Sequence, residues 1–410
     1  MGNCNSKTVI SQCLEWLEIP NLVRVFFDYR TPKLTTTAAI RLFVEAQLSD
    51  RKDPECIVEN LRNCPELQAL TGITSLSASR FNRKLSELPT WLLQYLFEDI
   101  TRRIHTTLQQ TCESRELQKK HIPLSIIDST SITLPNVHGK WAYVNKEKNQ
   151  VKLHLRLSTE WPDLAIPSKV VLSTGAVADT EVAIELVTER GTTYVMDRGY
   201  INYAYFKNWC DAGILFVARI QKRSKTQILE SRKTPATDPD LLLDADVLVT
   251  VPNSGETVKL RLVEFKDDKE RTYRLLTSRW DLPAREIADI YRARWDIELF
   301  FKWMKQYLRL AKLYSTKPVA VWNQIYMALI AHAMCVLVKL QTGTKDGLCR
   351  VLKLMRQYMV DSWEKLLAAL FRKPTRTSQG RRKKPIKGRP RKHPKVYTAQ
   401  KMVLDNELDH

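Results

Sequence analysis

The sequence predicts an α/β protein: a helical front, a mixed sheet packed by helices, a β-rich insertion and a helical end. Three observations predict it. Up to about residue 118, apolar residues recur three and four apart, the spacing of a helix face. From about residue 122 the pattern changes to short apolar or alternating runs bounded by Gly, Pro or Asp, as strands are. Helical patterns follow several of those runs, an order that builds a sheet with helices packed on it. With 410 residues, 44% of them hydrophobic, the chain can bury a sizeable core, and wholesale disorder is excluded.

In the front, Ser11–Phe27, Thr36–Leu48 and Leu92–Ile104 have helical spacing. Asp53-Pro54 starts another helix, because Asp caps and Pro suits the first turn. Pro65 opens Glu66–Leu70, Thr71-Gly72-Ile73 makes a turn, and Ser77–Leu85 forms a second helix carrying Arg80, Arg83 and Lys84. Helix, Gly-containing turn and basic helix have the form of a helix-turn-helix DNA reader. A small bundle with an ordinary charged face fits the same residues.

Strands are expected at Leu124–Ile127, Val151–Leu157, Lys169–Ser173, Thr193–Met196 and Ile214–Ile220, with helices at Glu181–Glu189 and Tyr203–Asp211. After the polar stretch Lys222–Asp240, further strands are expected at Val247–Val251, Thr257–Glu264 and Thr272–Thr277. One long helix runs from Pro283 to about Leu310, followed by Val319–Leu340 and Gly347–Phe371. The apolar run Ile325–Leu340 includes His332 and is short for a membrane span, so it reads as a core helix. The expected organisation is a helical DNA-binding domain at 1–118, a core at 119–221 and 281–345, a β-rich insertion at 222–280, a helix at 346–371 and a basic tail at 372–410.

Sixty-five Lys and Arg against 45 Asp and Glu give a net charge of +20, which excludes an acidic solvating protein and favours nucleic acid as partner over a membrane. Twelve of the cations lie in Arg372–Lys395, which has no acidic residue, so the other residues together stand at +8. Within that tail Lys387-Gly388-Arg389-Pro390-Arg391-Lys392 resembles an AT-hook, with Arg389 and Arg391 as candidate minor-groove contacts. A polybasic tail held by phosphate attraction alone is the competing reading. The eight cysteines are scattered without a Cys-x-x-Cys pair, as expected for reduced thiols in a cytosol rather than a zinc site.

Three acidic residues stand out. Asp128 closes the first strand-like run, Asp197 closes Thr193–Met196, and Glu298 lies in the long helix. A carboxylate at a strand end faces a sheet edge, where ligands bind. Three carboxylates brought together need cations, and oxygen-rich sites suit Mg²⁺ or Mn²⁺. On one helix Tyr291, Arg294, Glu298 and Lys305, spaced 3, 4 and 7, fall within an arc of about 60°. Ala293, Ile297, Phe300, Phe301, Met304 and Leu308 form the adjoining apolar stripe. A turn or cap for each Asp, and a solvated face for the stripe, are the plain alternatives.

The pattern Tyr-x2-Arg-x3-Glu-x6-Lys, filled by Tyr291, Arg294, Glu298 and Lys305, resembles the signature of the insertion-sequence-four family of bacterial DDE transposases. Asp128 in Ile-Ile-Asp-Ser-Thr and Asp197 in Met-Asp-Arg-Gly-Tyr look like its two aspartates. The resemblance covers about 120–340. It implies a ribonuclease-H-like core in which Asp128, Asp197 and Glu298 hold two Mg²⁺ or Mn²⁺ ions. Tyr291, Arg294 and Lys305 would contact the DNA backbone. It further implies an enzyme, expected as a homodimer on double-stranded DNA in the bacterial cytoplasm near the nucleoid, with no membrane role. That enzyme cuts transposon ends and joins the 3′-hydroxyl to target DNA, often through a hairpin. Some members stack a flipped base on an insertion Trp; Trp280 and Phe265 have no clear match to it. A non-catalytic DNA-binding descendant of a transposase stays open as the alternative.

Overall fold

The computed structural model describes residues 7–29, 31, 33–112, 122–136, 138–161, 164–233, 238–310 and 312–372. In the front, helix α1 spans Val9–Glu15 and α2 Leu22–Phe27. They replace the single expected helix Ser11–Phe27, because Pro20 disfavours helical geometry at the residue before it. Side chains define the next helix starts. Thr35 caps α3 (Thr36–Leu48), Asp53 caps α4 (Pro54–Asn63) and Ser77 caps α6 (Ala78–Glu87), each accepting an amide N–H from the first turn. Helix α5 (Pro65–Thr71) stops at Gly72, whose φ of +70° an L side chain rarely adopts. Helix α7 (Thr90–Cys112) extends beyond the expected segment at both ends.

The strands are β1 (Leu124–Leu134), β2 (Tyr143–Asn145), β3 (Lys148–Trp161), β4 (Leu164–Thr174), β5 (Thr193–Met196) and β6 (Leu215–Arg219), then β7 (Gln227–Ser231), β8 (Leu241–Thr250), β9 (Thr257–Lys266) and β10 (Thr272–Thr277). All ten join one sheet, in the order β2-β3-β1-β5-β6-β10-β9-β8-β7 with β4 also paired to β3. Strands β1, β5 and β6 run parallel, and the other pairings are antiparallel. The parallel strands need crossovers, supplied by α8 (Asp179–Leu186) before β5 and α9 (Tyr203–Asp211) between β5 and β6. The β-rich stretch therefore continues the sheet, because β10 pairs with β6.

Several strands are longer than the sequence suggests. The outer half of β1 is Ser129-Thr130-Ser131-Ile132-Thr133-Leu134, where polar residues hide an alternating buried pattern that pairs with β3. Strand β7 lies inside the polar stretch Lys222–Asp240, where no strand is expected. It is an edge strand with every residue exposed, so it leaves no apolar pattern.

Helix α12 (Pro318–Thr342) is buried along most of its length and packs on α3, α6, α7 and β4. It is long and apolar enough to cross a membrane, but 94% of its most apolar window is buried inside the protein. Its 25 residues exceed the expected segment. The segment expected as one helix to Phe371 forms α13 (Leu348–Gln357) and α14 (Trp363–Leu370). Between them the chain bonds back to its start: Val9 N–H donates to the Asp361 carbonyl and Trp363 N–H to that of Lys7, each at 3.0 Å.

Candidate active site

The register of β1 and β5 brings two acids together. Their parallel pairing ends at Ile127↔Met196, so Asp128 and Asp197 are the next residue on each strand. Asp128 remains in β1, and its Oδ1 accepts the Ser129 N–H at 2.8 Å. Asp197 leaves β5 and opens the 3₁₀ turn Arg198–Tyr200. The same register continues to β6, where Met196↔Ala218 puts Arg219 beside Asp197, with 3.8 Å between its guanidinium and Oδ1.

Glu298 comes from a helix that breaks where one long helix was expected. Helix α10 covers Ala284–Arg292 and α11 covers Trp295–Tyr307. Between them Arg294, Asp296 and Ile297 donate to carbonyls three residues back, a tightened turn rather than α-helix. The single stripe on one helix is therefore corrected: Tyr291 belongs to α10, while Glu298 and Lys305 belong to α11. The break still converges the groups. Tyr291 Oη donates to Asp197 Oδ1 at 3.3 Å. Arg294 donates through Nη2 to Glu298 Oε1 at 2.5 Å and through Nη1 to Asp128 Oδ2 at 3.3 Å. The apolar stripe packs inward, with Ile297, Phe300, Phe301, Met304 and Leu308 buried.

Electrostatics follow from burial. Asp128 is pushed up to about 6, first by burial and then by Asp197 and Glu298, against the Ser129 amide and Arg294. The Tyr291 phenol is raised by burial and by the Asp197 anion. Burial alone would lower the Arg294 guanidinium, but Tyr291, Glu298, Asp197 and Asp128 hold it above its ordinary value. Its Nε is buried without a hydrogen-bond partner. Lys305 is exposed, makes no ion pair among the described residues, and lines an open depression of about 630 Å³ with Asp128, Ser129, Glu298 and Gln306. Among the described residues no three His, Cys, Asp or Glu side chains stand close enough to enclose a metal ion, and Arg294 stands between Asp128 and Glu298.

The basic residues of the front divide. Arg83 is exposed on α6, and half-exposed Arg80 donates to Glu87 at 3.1 and 3.2 Å. Lys84 is a correction to the expected DNA contacts. Its side chain is 7% exposed and its ammonium faces Asp28 at 3.7 Å inside the helical region. Asp28 also accepts the Thr36 N–H and hydroxyl, so withdrawing Lys84 to reach a phosphate would strand a buried charge. Phe265 is core, stacked on Tyr273, whereas Trp280 is half-exposed with Arg232 and Lys259 over its ring. Arg389 and Arg391 lie outside the described residues.

Sequence reasoning missed Arg219, although the parallel register of strands ending at 196 and 219 was a signal that could have found it. It also missed Asp179, whose partners come from separate segments.

The parallel pairing of β1 and β5 stops just before two aspartates, with an acid-bearing helix and basic groups beside them, and comparison with known proteins places the chain in a class of DNA-processing enzyme. Residues 119–334 match the model of the transposase DDE domain family, and the chain belongs to that family. It is 29% identical over 277 residues to a protein of Geobacillus stearothermophilus named "Probable transposase for insertion sequence element IS5377", covering 67% of this chain and 71% of the relative. It is 30% identical over 164 residues to transposase InsG of insertion sequence element IS4 from Escherichia coli, covering 38% of this chain and 37% of the relative. The chain is a DDE transposase of the insertion-sequence-four type, an enzyme that cleaves DNA and transfers a strand. Use of divalent metal ions is general in that family.

Proposed function

We propose that this transposase works by cut-and-paste, with Asp128, Asp197 and Glu298 as its catalytic carboxylates on a ribonuclease-H-like core. One observation carries the reading: Asp128 and Asp197 directly follow the last parallel pair of β1 and β5, and Arg294 bridges Asp128 to Glu298. The core reading is supported by the sheet, in which antiparallel β3, with β2 and β4, lies on one side of β1 and parallel β5 and β6 on the other. The chemistry of the donors fits Mg²⁺ or Mn²⁺: Asp128, Asp197 and Glu298 offer only carboxylate oxygens, and the Arg294 guanidinium, paired to Asp128 and Glu298, occupies the place a cation would take between them. Asp128, Asp197 and Glu298 would hold two such ions, which supply charge neutralisation and activation of an attacking oxygen.

The remaining work falls to the chain itself. In the DNA-free protein Arg294 neutralises Asp128 and Glu298; with DNA bound, its fork turns to a phosphate near the cut. Lys305, without an ion pair among the described residues, grips an adjoining phosphate, and Tyr291 holds Asp197 while touching the backbone. A water oxygen attacks phosphorus and the bond to the 3′ oxygen breaks, leaving a 3′-hydroxyl. That hydroxyl then attacks phosphorus in the target strand, whose own 3′ oxygen leaves. The helical front, with Arg80 and Arg83 on α6, reads the ends, and the basic tail with Arg389 and Arg391 adds general affinity. Two ends must be paired, so a homodimer on duplex DNA in the bacterial cytoplasm is the working form. The test uses duplex DNA carrying the repeats that bracket the coding sequence. Asp128→Ala and Glu298→Ala each lower cleavage roughly 10⁴-fold with Mg²⁺ present; cleavage at the wild-type rate in either overturns the assignment.

A further inference from the structure

The segments that follow the two aspartates meet at one further carboxylate. Asp179 is the first residue of α8, yet it does not cap that helix, since Glu181 accepts the Ala178 N–H at 2.9 Å instead. Its carboxylate turns toward the sheet. Ser129, one residue past Asp128, donates its hydroxyl to Asp179 Oδ1 at 3.0 Å. Lys152 on β3 donates to the same oxygen at 3.2 Å and to the Val177 carbonyl at 2.9 Å. His154 Nδ1 stands 3.5 Å from that oxygen. Burial depresses His154 to about 4, so at neutral pH Lys152 is the cation facing Asp179.

The other carboxylate oxygen meets the turn after Asp197. A Cβ added at Gly199 would stand 3.0 Å from Asp179 Oδ2, so the backbone two residues past Asp197 lies directly against it. Gly is used here for close approach rather than for an unusual φ. Tyr200, next in the chain, is buried, and Asp179 and Asp128 both oppose ionisation of its phenol. One side chain thus touches the strand leaving Asp128 and the turn leaving Asp197.

We infer that Asp179 is a positioning residue for the transposase reaction, clamping the Asp128 strand and the Asp197 turn so that the two carboxylates keep one separation. The inference rests on the reading of Asp128 and Asp197 as catalytic carboxylates. Asp179 acts through Ser129 on one side and Gly199 on the other. A small misplacement of catalytic groups is enough to slow chemistry severely while leaving DNA binding intact.

The test uses the full chain and the repeat-bearing duplex, with Asp179→Asn, Ser129→Ala, Ser129→Thr, the Asp179→Asn/Ser129→Ala double variant and Asp128→Ala. Asp179→Asn is expected to lower kcat roughly 100-fold, with KM, duplex affinity and thermal midpoint unchanged. Ser129→Ala falls in the same direction, Ser129→Thr restores the rate, and the double variant is no slower than the slower single, as for residues acting as one unit. Should Asp179→Asn not fold, Ser129→Ala and Ser129→Thr carry the comparison. A wild-type kcat in Asp179→Asn and Ser129→Ala while Asp128→Ala is inactive overturns this inference alone. So does a loss of rate that tracks lost thermal stability or lost duplex binding. Cleavage by Asp128→Ala overturns the underlying site instead.

Discussion

Asp128 shows how a buried carboxylate taxes the fold that holds it. Its carboxyl titrates near 6, above its ordinary 3.8, because burial and the neighbouring Asp197 and Glu298 oppose the charge. The folded state thus binds this proton more tightly than the unfolded chain. The resulting stabilisation is fully present below about pH 4 and is lost as pH rises through about 6. Asn at this position cannot ionise. Asp128→Asn is therefore expected to be more stable than the wild type at neutral pH by on the order of 1–2 kcal/mol, an advantage that shrinks as pH falls toward 4. Urea denaturation across that range checks the sign, and a variant that is less stable at neutral pH contradicts it. The residues of the site were legible to different degrees. Asp128, Asp197 and Glu298 stood out because apolar strand-like runs and a local spacing mark them, although β1 continues past Asp128. Lys84 was misread because its partner Asp28 lies on another turn of chain, invisible to helical periodicity. Asp179 was silent for the same reason, since its contacts come from residues 129, 152, 154 and 199.

Elements with punctuation in the sequence were readable, and those set by packing were not. Asp53-Pro54, Ser77 and Gly72 mark helix ends through capping chemistry and backbone freedom, and the helices begin and stop there. The break between α10 and α11 has no Pro or Gly to announce it. At that break Tyr291 reaches Asp197 while Arg294 reaches Asp128 and Glu298, contacts set by packing across the sheet. Helix α12 depends on a polar residue that periodicity would pass over. Asn323, fully buried, donates through Nδ2 to the Leu85 and Leu88 carbonyls and accepts the Thr90 hydroxyl, all at 2.8 Å. It thereby ties the end of α6 and the start of α7 to α12. Asn323→Leu leaves the two carbonyls buried and unpaired and removes the partner of the Thr90 hydroxyl, and is expected to destabilise the protein by about 2–4 kcal/mol. An unchanged denaturation midpoint in urea would refute that role.

Over the whole molecule, charge was legible and connectivity was not. Twelve of the cations sit in Arg372–Lys395, where no acid offsets them. Removing residues 372–410 is expected to weaken duplex binding at low salt and to flatten the plot of log affinity against log salt by several units. Fluorescence anisotropy with a non-cognate duplex measures this, and an unaltered slope would mean that the tail touches no phosphate. That β10 joins β6 and carries the sheet on to β7 could not be read from the sequence, because strand pairing is a long-range choice. The burial of α12 has a consequence for biosynthesis. Its partners α3, α6 and α7 leave the ribosome more than two hundred residues before it does, with their apolar faces uncovered until residue 342 emerges. The growing chain must be shielded over that interval. A chain cut short before residue 318 would leave the apolar faces of α3, α6 and α7 without the helix that covers them.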